Sequence, residues 1–262
     1  HCGDIHEAFR AYDGKAGGAK ELGQFFTPRK LINLVFHAFG LDKHLEQFEN
    51  PTIYDPCMGT AGFLTRVFNL GNIRPEDVFG CETEEDTIKF AHSSLLLTTG
   101  QIPHNIEKCN SLSESANLLK KVSFILTNPP FGTRISYQKV KKNGTFKLGE
   151  KEKYENNFVV KPEDSEEAKT QKLMLNPNQV VFKEIYPIKT NNGACLFTQQ
   201  CVYKLEEGGV CVIVLPDGEL FEGGKLNSCT QRFRKWLCES VNILHIMKVA
   251  GGTFEHAGVK TC

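Results

Sequence analysis

The chain has 262 residues, of which 40% are hydrophobic, and a chain of this length buries one substantial core, so one α/β domain is the default expectation. Its 31 basic and 31 acidic side chains cancel, which excludes an overall positive field of the kind that attracts nucleic acid. No apolar run is long enough to cross a bilayer, so no membrane contact is expected. The ten cysteines form no Cys-x-x-Cys pair, and we expect reduced thiols in a cytoplasmic protein.

Apolar runs alternate with helix-like segments along the chain. Strands are predicted at 52–55, 78–82, 106–110, 123–127, 210–215 and 241–248. Helices are predicted at 62–70, 84–99, 113–120, 194–207 and 226–238. This alternation, with continuous apolar strands, predicts a buried and mainly parallel sheet that carries helices on both faces. Residues 135–193 are polar and lack periodicity, which indicates a functional or partly disordered insertion, or a solvated surface loop.

The first motif is GQFFTPRKLINLVFHAF, which begins at Gly23. We expect Thr27 to cap a helix whose first residue is Pro28. The apolar residues that follow at helical spacing are Leu31, Leu34, Val35 and Ala38. The N–H groups at the start of a helix suit a carboxylate or a phosphate, although plain helix initiation explains the same residues.

The second motif is TIYDPCMGTAGFL, in which a strand ends at Asp55 and a helix begins near Gly62. Gly59 and Gly62 would let the backbone approach a ligand at the carboxyl end of this strand, where open α/β sheets bind ligands. The motif is neither a dinucleotide fingerprint nor a P-loop. Glu82 ends the next strand, VFGCE, where a carboxylate can accept both hydroxyls of a ribose; capping of the following helix is the alternative.

The third motif is SFILTNPPFGTR, which places Asn128 directly after the fourth strand. Because proline has no N–H, two prolines after Asn128 give a rigid loop whose carbonyls are left to accept other hydrogen bonds. The side-chain oxygen of Asn128 and the carbonyl of Pro129 would together suit an exocyclic amino group, and Phe131 offers a flat face for a base. A simple strand-ending turn is the alternative.

In this order, the blocks GQFFTPR, DPCMGTAGFL, CE and NPPFG closely resemble the N6-adenine DNA methyltransferases, and especially the modification subunits of type I restriction–modification systems. The blocks LFTQQCVYKLEEGGVCVIVLPDGELF and GTFEHAGVKT continue this resemblance, which covers the chain from about Asp4. It implies a Rossmann-like S-adenosylmethionine-dependent methyltransferase fold, as one catalytic domain at 1–262 within a longer protein. Its parts would be an N-terminal helical part at 1–50, a cofactor-binding half with the catalytic motif at 51–134, the polar insertion at 135–193, and the second half of the sheet at 194–262. A final antiparallel strand is expected beyond the end of the chain.

The resemblance also implies roles for individual residues. S-adenosylmethionine would be held by Gln24, Phe25, Phe26, Thr27, Pro28, Arg29, Asp55, Gly59, Thr60, Ala61, Gly62, Glu82 and Asn110. The catalytic motif would be Asn128, Pro129, Pro130 and Phe131, and the amino group of a flipped adenine would attack the methyl group in line. Phe131 and Phe254 would enclose that base, with a core role as the alternative for Phe254. No metal site is expected.

Two positions depart from the family pattern. The family often has glycine where this chain has Ala61, and aspartate where it has Asn110. These departures keep open a catalytically idle, cofactor-binding scaffold, and the Asn-Pro-Pro-aromatic motif also suits a protein glutamine or an RNA base. LPDGELF and the block around Thr27 favour DNA adenine. Because the chain has no basic surplus, DNA binding is expected to need a separate specificity subunit or a flanking recognition domain, and a restriction subunit is a further candidate partner.

Overall fold

The computed structural model describes residues 27–70, 73–114, 121–135, 165, 185–221, 228–254 and 260–262. Its helices are α1 (Arg29–Phe39), α2 (Leu41–Leu45), α3 (Gly62–Phe68), α4 (Glu85–Thr99), α5 (Ser111–Glu114), α6 (Gly193–Lys204), α7 (Asp217–Phe221) and α8 (Cys229–Ser240). Its strands are β1 (Ile53–Asp55), β2 (Val78–Glu82), β3 (Asn105–Lys108), β4 (Val122–Thr127) and β5 (Leu205–Ile213). Gln24, Phe25 and Phe26, and most of the predicted insertion at 135–193, lie outside the described residues.

The described strands form one parallel sheet in the order β3-β2-β1-β4-β5. Ile53 of β1 is paired with Val78 of β2 on one side and with Phe124 of β4 on the other. β2 and β3 therefore extend the sheet on one side of β1, and β4 and β5, which come later in the chain, extend it on the other side. The predicted parallel sheet is confirmed, and β1 and β4 are the two strands between which its order reverses.

Helices cover both faces of this sheet, as predicted. Successive side chains of a strand point to opposite faces, so neighbouring residues of β1 and β4 enter different layers. Ile53 and Phe124 belong to a core that α1, α3 and α4 cover. Tyr54 and Ile125 lie on the other face with Cys201 of α6. Every residue of β4 is buried, as expected of a central strand.

Helix α1 differs from its prediction in its cap and in its buried face. Pro28, with φ −57° and ψ 135°, is the N-cap residue, and its carbonyl accepts hydrogen bonds from the amides of Leu31 (2.9 Å) and Ile32 (3.1 Å). The prediction of Thr27 as the cap is therefore wrong by one residue. The buried side chains are Leu31, Ile32, Val35 and Phe36. Leu34 is 53% exposed and Ala38 is also exposed, because apolar residues surround this helix and the core takes only one side of it.

The predicted strand at 241–248 is the main error in the fold. Its backbone pairs with no strand in the described part of the chain. Just beyond it, the amide of Val249 donates to the carbonyl of Thr261 (2.9 Å), and Thr261 forms an antiparallel bridge with Pro216. The segment 260–262 therefore lies between Val249 on one side and Pro216, which follows β5, on the other. Ile243, Leu244 and Ile246 are exposed, because 241–248 has no described neighbour along its edge.

The ends of β3 and β5 differ from their predicted positions by a few residues. β3 begins at Asn105 and ends at Lys108, and β5 begins at Leu205, well before the predicted start at 210. The cysteines in the described ranges are free thiols, and Cys81, Cys109, Cys195 and Cys201 are buried. In the same ranges, no helix has the length and apolarity that a membrane span requires.

Candidate active site

The candidate site lies at the carboxyl edge of the sheet, between β1 and β4. Asp55 ends β1, and Asn128 follows Thr127, the last residue of the neighbouring strand β4. Glu82 ends β2 on the other side of β1. Open α/β sheets bind ligands in the crevice where the strand order reverses. The sheet thus brings three separate sequence motifs to one edge.

Asp55 is buried at the end of β1 and holds the turn that follows this strand. Its side chain is 1% exposed, and Oδ1 accepts a hydrogen bond from the amide of Cys57 (3.0 Å). Burial raises the pKa of Asp55 to about 7, and the negative charge of Glu82 acts in the same direction, while the Thr127 hydroxyl and the Cys57 amide oppose the rise. The buried carboxyl group therefore supports the turn through the Cys57 amide, and its predicted contact with a cofactor stays a prediction.

The turn itself contains two residues with left-handed backbone conformation. Gly59 has φ 55°, and Ala61 has φ 61°, the only positive φ of a non-glycine residue in the described ranges. For an L-residue this conformation costs roughly 1–2 kcal/mol, which explains why glycine suits position 61. The amide of Met58 donates to the carbonyl of Cys81 (3.1 Å), and this bond ties the turn to β2. A Cβ atom at Gly80 would lie 2.6 Å from the Met58 sulfur and 3.0 Å from Cδ1 of Ile106, so these side chains would have to shift to admit a larger residue.

Arg29 connects the first motif to the second. Its Nη1 donates to the carbonyl of Gly62 (3.1 Å) and to the hydroxyl of Thr65 (2.7 Å), both in α3. The starts of α1 and α3 lie against each other, since a Cβ at Gly62 would be 2.9 Å from Cδ1 of Ile32. Arg29 therefore holds the two helix starts together, which is a supporting role for a residue predicted to bind cofactor.

Glu82 has the capping role that the sequence left as one of two alternatives. Its Oε1 accepts hydrogen bonds from the amides of Thr83 (2.7 Å) and Glu84 (2.9 Å), directly before α4. Within the described ranges, the side-chain hydrogen bonds of Glu82 all go to Oε1. One oxygen thus holds the start of α4, while the binding of a ribose by Glu82 stays a prediction.

Asn110 follows β3 and lies exposed at the same edge. Its Oδ1 accepts a hydrogen bond from the amide of Leu112 (3.2 Å), two residues further along the chain. This turn orients the side chain, and because a backbone N–H can donate only to oxygen, it also fixes which atom of the amide is Oδ1. The side-chain NH2 group and the second lone pair of Oδ1 take no part in this turn.

The Asn128–Phe131 loop is held at both of its ends. Before it, the amide of Val214 donates to the carbonyl of Thr127 (3.0 Å). After it, Gly132 has φ 65° and the amide of Gly193 donates to the carbonyl of Thr133 (2.9 Å). Pro129 is buried, and Asn128 and Pro130 are partly buried. The loop is therefore a constrained segment beside the turn that follows Asp55.

Phe131 and Phe254, predicted to enclose a base, contact each other. Their ring centroids are 5.2 Å apart at an interplanar angle of 88°, and the residues are 4% and 6% exposed. A planar base between two rings needs about 7 Å, because each stacked contact takes about 3.5 Å. The rings therefore pack as core residues in this state, and a base would enter only after they separate.

Two supporting residues were missed by the sequence analysis. The hydroxyl of Ser111 donates to the carbonyl of Pro56 (2.9 Å), and Nε2 of Gln200 donates to the carbonyl of Ser111 (2.7 Å). Together they join α6, the segment after β3 and the turn after β1. The polar pair Gln199-Gln200 inside an otherwise apolar helix was the signal for this role. In the described part of the chain, no cluster of His, Cys, Asp and Glu could hold a metal ion.

Comparison with known sequences identifies the family to which this chain belongs. A family profile described as N-6 DNA Methylase matches residues 1–262. The methylase subunit of the type I restriction enzyme EcoKI, from Escherichia coli strain K12, is 26% identical over 282 aligned residues, which cover 99% of this chain and 42% of that protein. The chain thus spans less than half the length of this curated relative.

Solved structures confirm the fold. The crystal structure of the EcoKI M protein matches with a TM-score of 0.58 and 23% identity, over 91% of this chain and 43% of that one. The methyltransferase subunit of a type I restriction–modification system from Streptococcus thermophilus matches with a TM-score of 0.61 and 20% identity, over 90% of this chain and 43% of that one. With the parallel sheet described above, these matches confirm the predicted Rossmann-like methyltransferase fold.

Proposed function

Because this chain belongs to the N-6 DNA methylase family, we propose that it transfers a methyl group from S-adenosylmethionine to N6 of an adenine flipped out of DNA. One observation carries the proposal: the Asn-Pro-Pro-Phe loop after β4 lies beside the glycine-containing turn after β1, at the reversal point of the sheet. A loop suited to an amino group and a turn suited to a cofactor thus share one crevice.

The residues at this edge fit S-adenosylmethionine. Oε2 of Glu82 suits the ribose hydroxyls, and the side-chain NH2 of Asn110 suits a ring nitrogen of the adenine. The turn at Gly59–Gly62 and the start of α1 at Pro28 would receive the amino-acid end. When bound, this cofactor supplies a methyl group already activated by a positively charged sulfur, so no general base with a shifted pKa is required.

Within this proposal, the chain contributes acceptors and positioning. The side-chain oxygen of Asn128 and the carbonyl of Pro129 accept hydrogen bonds from the two amino hydrogens of adenine, which leaves the lone pair of N6 directed at the methyl group. Phe131 stacks on the base, and the restraints at Thr127 and Thr133 keep the loop in place. Correct placement of the two reacting atoms supplies most of the rate enhancement.

The assembly is part of the same proposal. Charge balance at 31 basic and 31 acidic residues argues that DNA affinity and sequence choice come from a specificity subunit or from a flanking recognition domain. The EcoKI relative is named as a subunit of a type I restriction enzyme, which supports a modification role beside specificity and restriction subunits. Residues 1–262 would then be one catalytic domain of a longer protein.

The test uses the intact protein with its partner subunits, duplex DNA and S-adenosylmethionine carrying a labelled methyl group. Wild type should yield N6-methyladenine, identified by mass spectrometry. Asn128→Ala should lower transfer at least about 100-fold while cofactor binding remains measurable. Asn50→Ala, at an exposed position before β1, is the matched control and should transfer like wild type.

Three outcomes would contradict the proposal in different ways. Equal transfer by Asn128→Ala would remove Asn128 from catalysis. Transfer to a protein glutamine or an RNA base, but never to DNA, would favour the alternative substrate. Cofactor binding without transfer to any acceptor would indicate a catalytically idle scaffold.

A further inference from the structure

The start of the Asn128–Phe131 loop is tied to β5. The carbonyl of Thr127 accepts a hydrogen bond from the amide of Val214 (3.0 Å), which directly follows β5. The chain then continues through Leu215 and Pro216 into α7. Helix α7 is therefore connected to the end of β4 through Leu215, Pro216 and one backbone hydrogen bond.

The end of the loop is tied to the start of α6. The amide of Gly193 donates to the carbonyl of Thr133 (2.9 Å), and the amide of Ile135 donates to the carbonyl of Asn191 (2.8 Å). The approach is close, since a Cβ at Gly193 would lie 3.0 Å from the carbonyl oxygen of Thr133. Thr133 is separated from Phe131 by Gly132 alone, so the first turn of α6 determines where the loop ends.

Glu219 of α7 joins these two anchor points. Its Oε1 accepts a hydrogen bond from Nδ2 of Asn192 (2.5 Å), and its Oε2 accepts one from the thiol of Cys195 (3.2 Å). Oδ1 of Asn192 caps α6 by accepting the amide of Cys195 (3.2 Å). One partly buried carboxylate thus binds two side chains in the first turn of α6.

These contacts form a closed ring around the loop, from Thr127 to Val214, through α7 to Glu219, across to Asn192 and Gly193, and back through Thr133. We infer that Glu219 is a positioning residue for the methyl transfer: with Asn192, it fixes the end of the Asn128–Phe131 loop relative to its start. The inference rests on the proposed function, because it assigns Glu219 a role in placing Asn128.

The chemistry of the contact explains why a carboxylate is needed there. Both groups that face Glu219 are donors, and an ionised carboxylate accepts from both in charge-assisted bonds. Helix α7 has five residues, too few to be stable by itself, so its position depends on such side-chain contacts. Replacement of one oxygen by an NH2 group would place a donor against a donor.

The test compares single and paired variants of the intact protein and its partner subunits, with duplex DNA and labelled S-adenosylmethionine. Glu219→Gln should lower the single-turnover rate of methyl transfer about 10-fold, and Asn192→Asp, which keeps the helix cap but opposes two carboxylates, about 100-fold. Affinity for S-adenosylmethionine should stay within about twofold of wild type, since the cofactor-binding turns lie outside the ring. Glu239→Gln, on an exposed position of α8, is the matched control and should leave the rate unchanged.

The double variant Asn192→Asp with Glu219→Gln reverses donor and acceptor and should restore the rate to within about threefold of wild type. Wild-type rates in the single variants, or no rescue in the double variant, would overturn the inference alone. Parallel loss of cofactor binding and rate would show a merely structural role and overturn it as well. If wild type itself transfers no methyl group to DNA, the proposed function fails, and this inference with it.

Discussion

The substitution Phe254→Leu separates the two roles that Phe254 can have. In the structure its ring packs edge-to-face on Phe131 at 5.2 Å, which a core residue would do. In the proposed reaction the same ring stacks on the flipped base. Leucine keeps most of the apolar volume and removes the flat face, so it disturbs the second role more than the first.

The expected loss of activity follows from the free energies of two contacts, the stacking of Phe254 on the base and its pair with Phe131. Loss of stacking on a base costs about 1–3 kcal/mol, while the edge-to-face pair that wild type must open is worth about 0.5–1.5 kcal/mol. The variant has no such pair to open, so the net loss of transition-state stabilisation is about 1 kcal/mol. We therefore expect kcat/KM for DNA to fall about fivefold.

Phe48→Leu is the matched control. Phe48 and Phe124 form a second edge-to-face pair, with centroids 5.2 Å apart at 76°, away from the candidate site. Each variant should lower the free energy of unfolding by about 1 kcal/mol, measured by chemical denaturation. Only Phe254→Leu should lower kcat/KM in a steady-state assay with duplex DNA. If both variants leave kcat/KM at the wild-type value, Phe254 is a core residue and the base is held elsewhere.

Two further substitutions test the crevice. Asp55→Asn keeps the acceptor for the Cys57 amide and removes a carboxyl group whose pKa is raised from 3.8 to about 7 by burial. Because native Asp55 holds a proton that the unfolded chain has lost, wild-type stability should fall as the pH rises from about 4 to about 7; the variant should lack this fall and be more stable at pH 8 by up to about 4 kcal/mol. Identical denaturation profiles of the two proteins at pH 5 and pH 8 would refute the reasoning. Asn110→Asp keeps the acceptor for the Leu112 amide and exchanges the side-chain NH2, the proposed donor to a ring nitrogen, for a charged oxygen that can accept from the adenine amino group. Because the charge-assisted bond is the stronger of the two, calorimetry should show about 2- to 10-fold tighter binding of S-adenosylmethionine. An equal gain with an analogue whose adenine amino group is replaced by oxygen would contradict this assignment.

The sheet was the most predictable part of the fold. β1, β2 and β4 begin and end within one residue of their predictions, because a central parallel strand is apolar on both faces and stands out as a continuous run. Which face of α1 is buried was less predictable. Leu31, Ile32, Leu34, Val35 and Phe36 are all apolar, so the pattern does not specify which side meets the core.

The segment 241–248 shows a different limit. Its apolar residues are typical of a strand, yet a strand exists only where a neighbour pairs with its backbone. Among the described residues, that neighbour is missing, and the pairing at Val249 with Thr261 comes only after the segment has ended. Local pattern predicts the capacity to form a strand, and the partner decides whether one forms.

The same distinction applies to the candidate site. Asp55, Glu82 and Asn128 could be predicted because parallel strands bring their carboxyl ends to one edge, whatever the packing of the helices. The contacts from Gln200 to Ser111 and from Asn192 to Glu219 could not, because they depend on how α6 packs against segments far away in the chain. A motif in the sequence therefore indicates which residues gather at the candidate site, and the three-dimensional packing determines which residues hold them in place. If Glu219 acts as inferred, substitution of a residue that only the packing connects to the Asn128–Phe131 loop will change the rate of transfer without changing cofactor affinity.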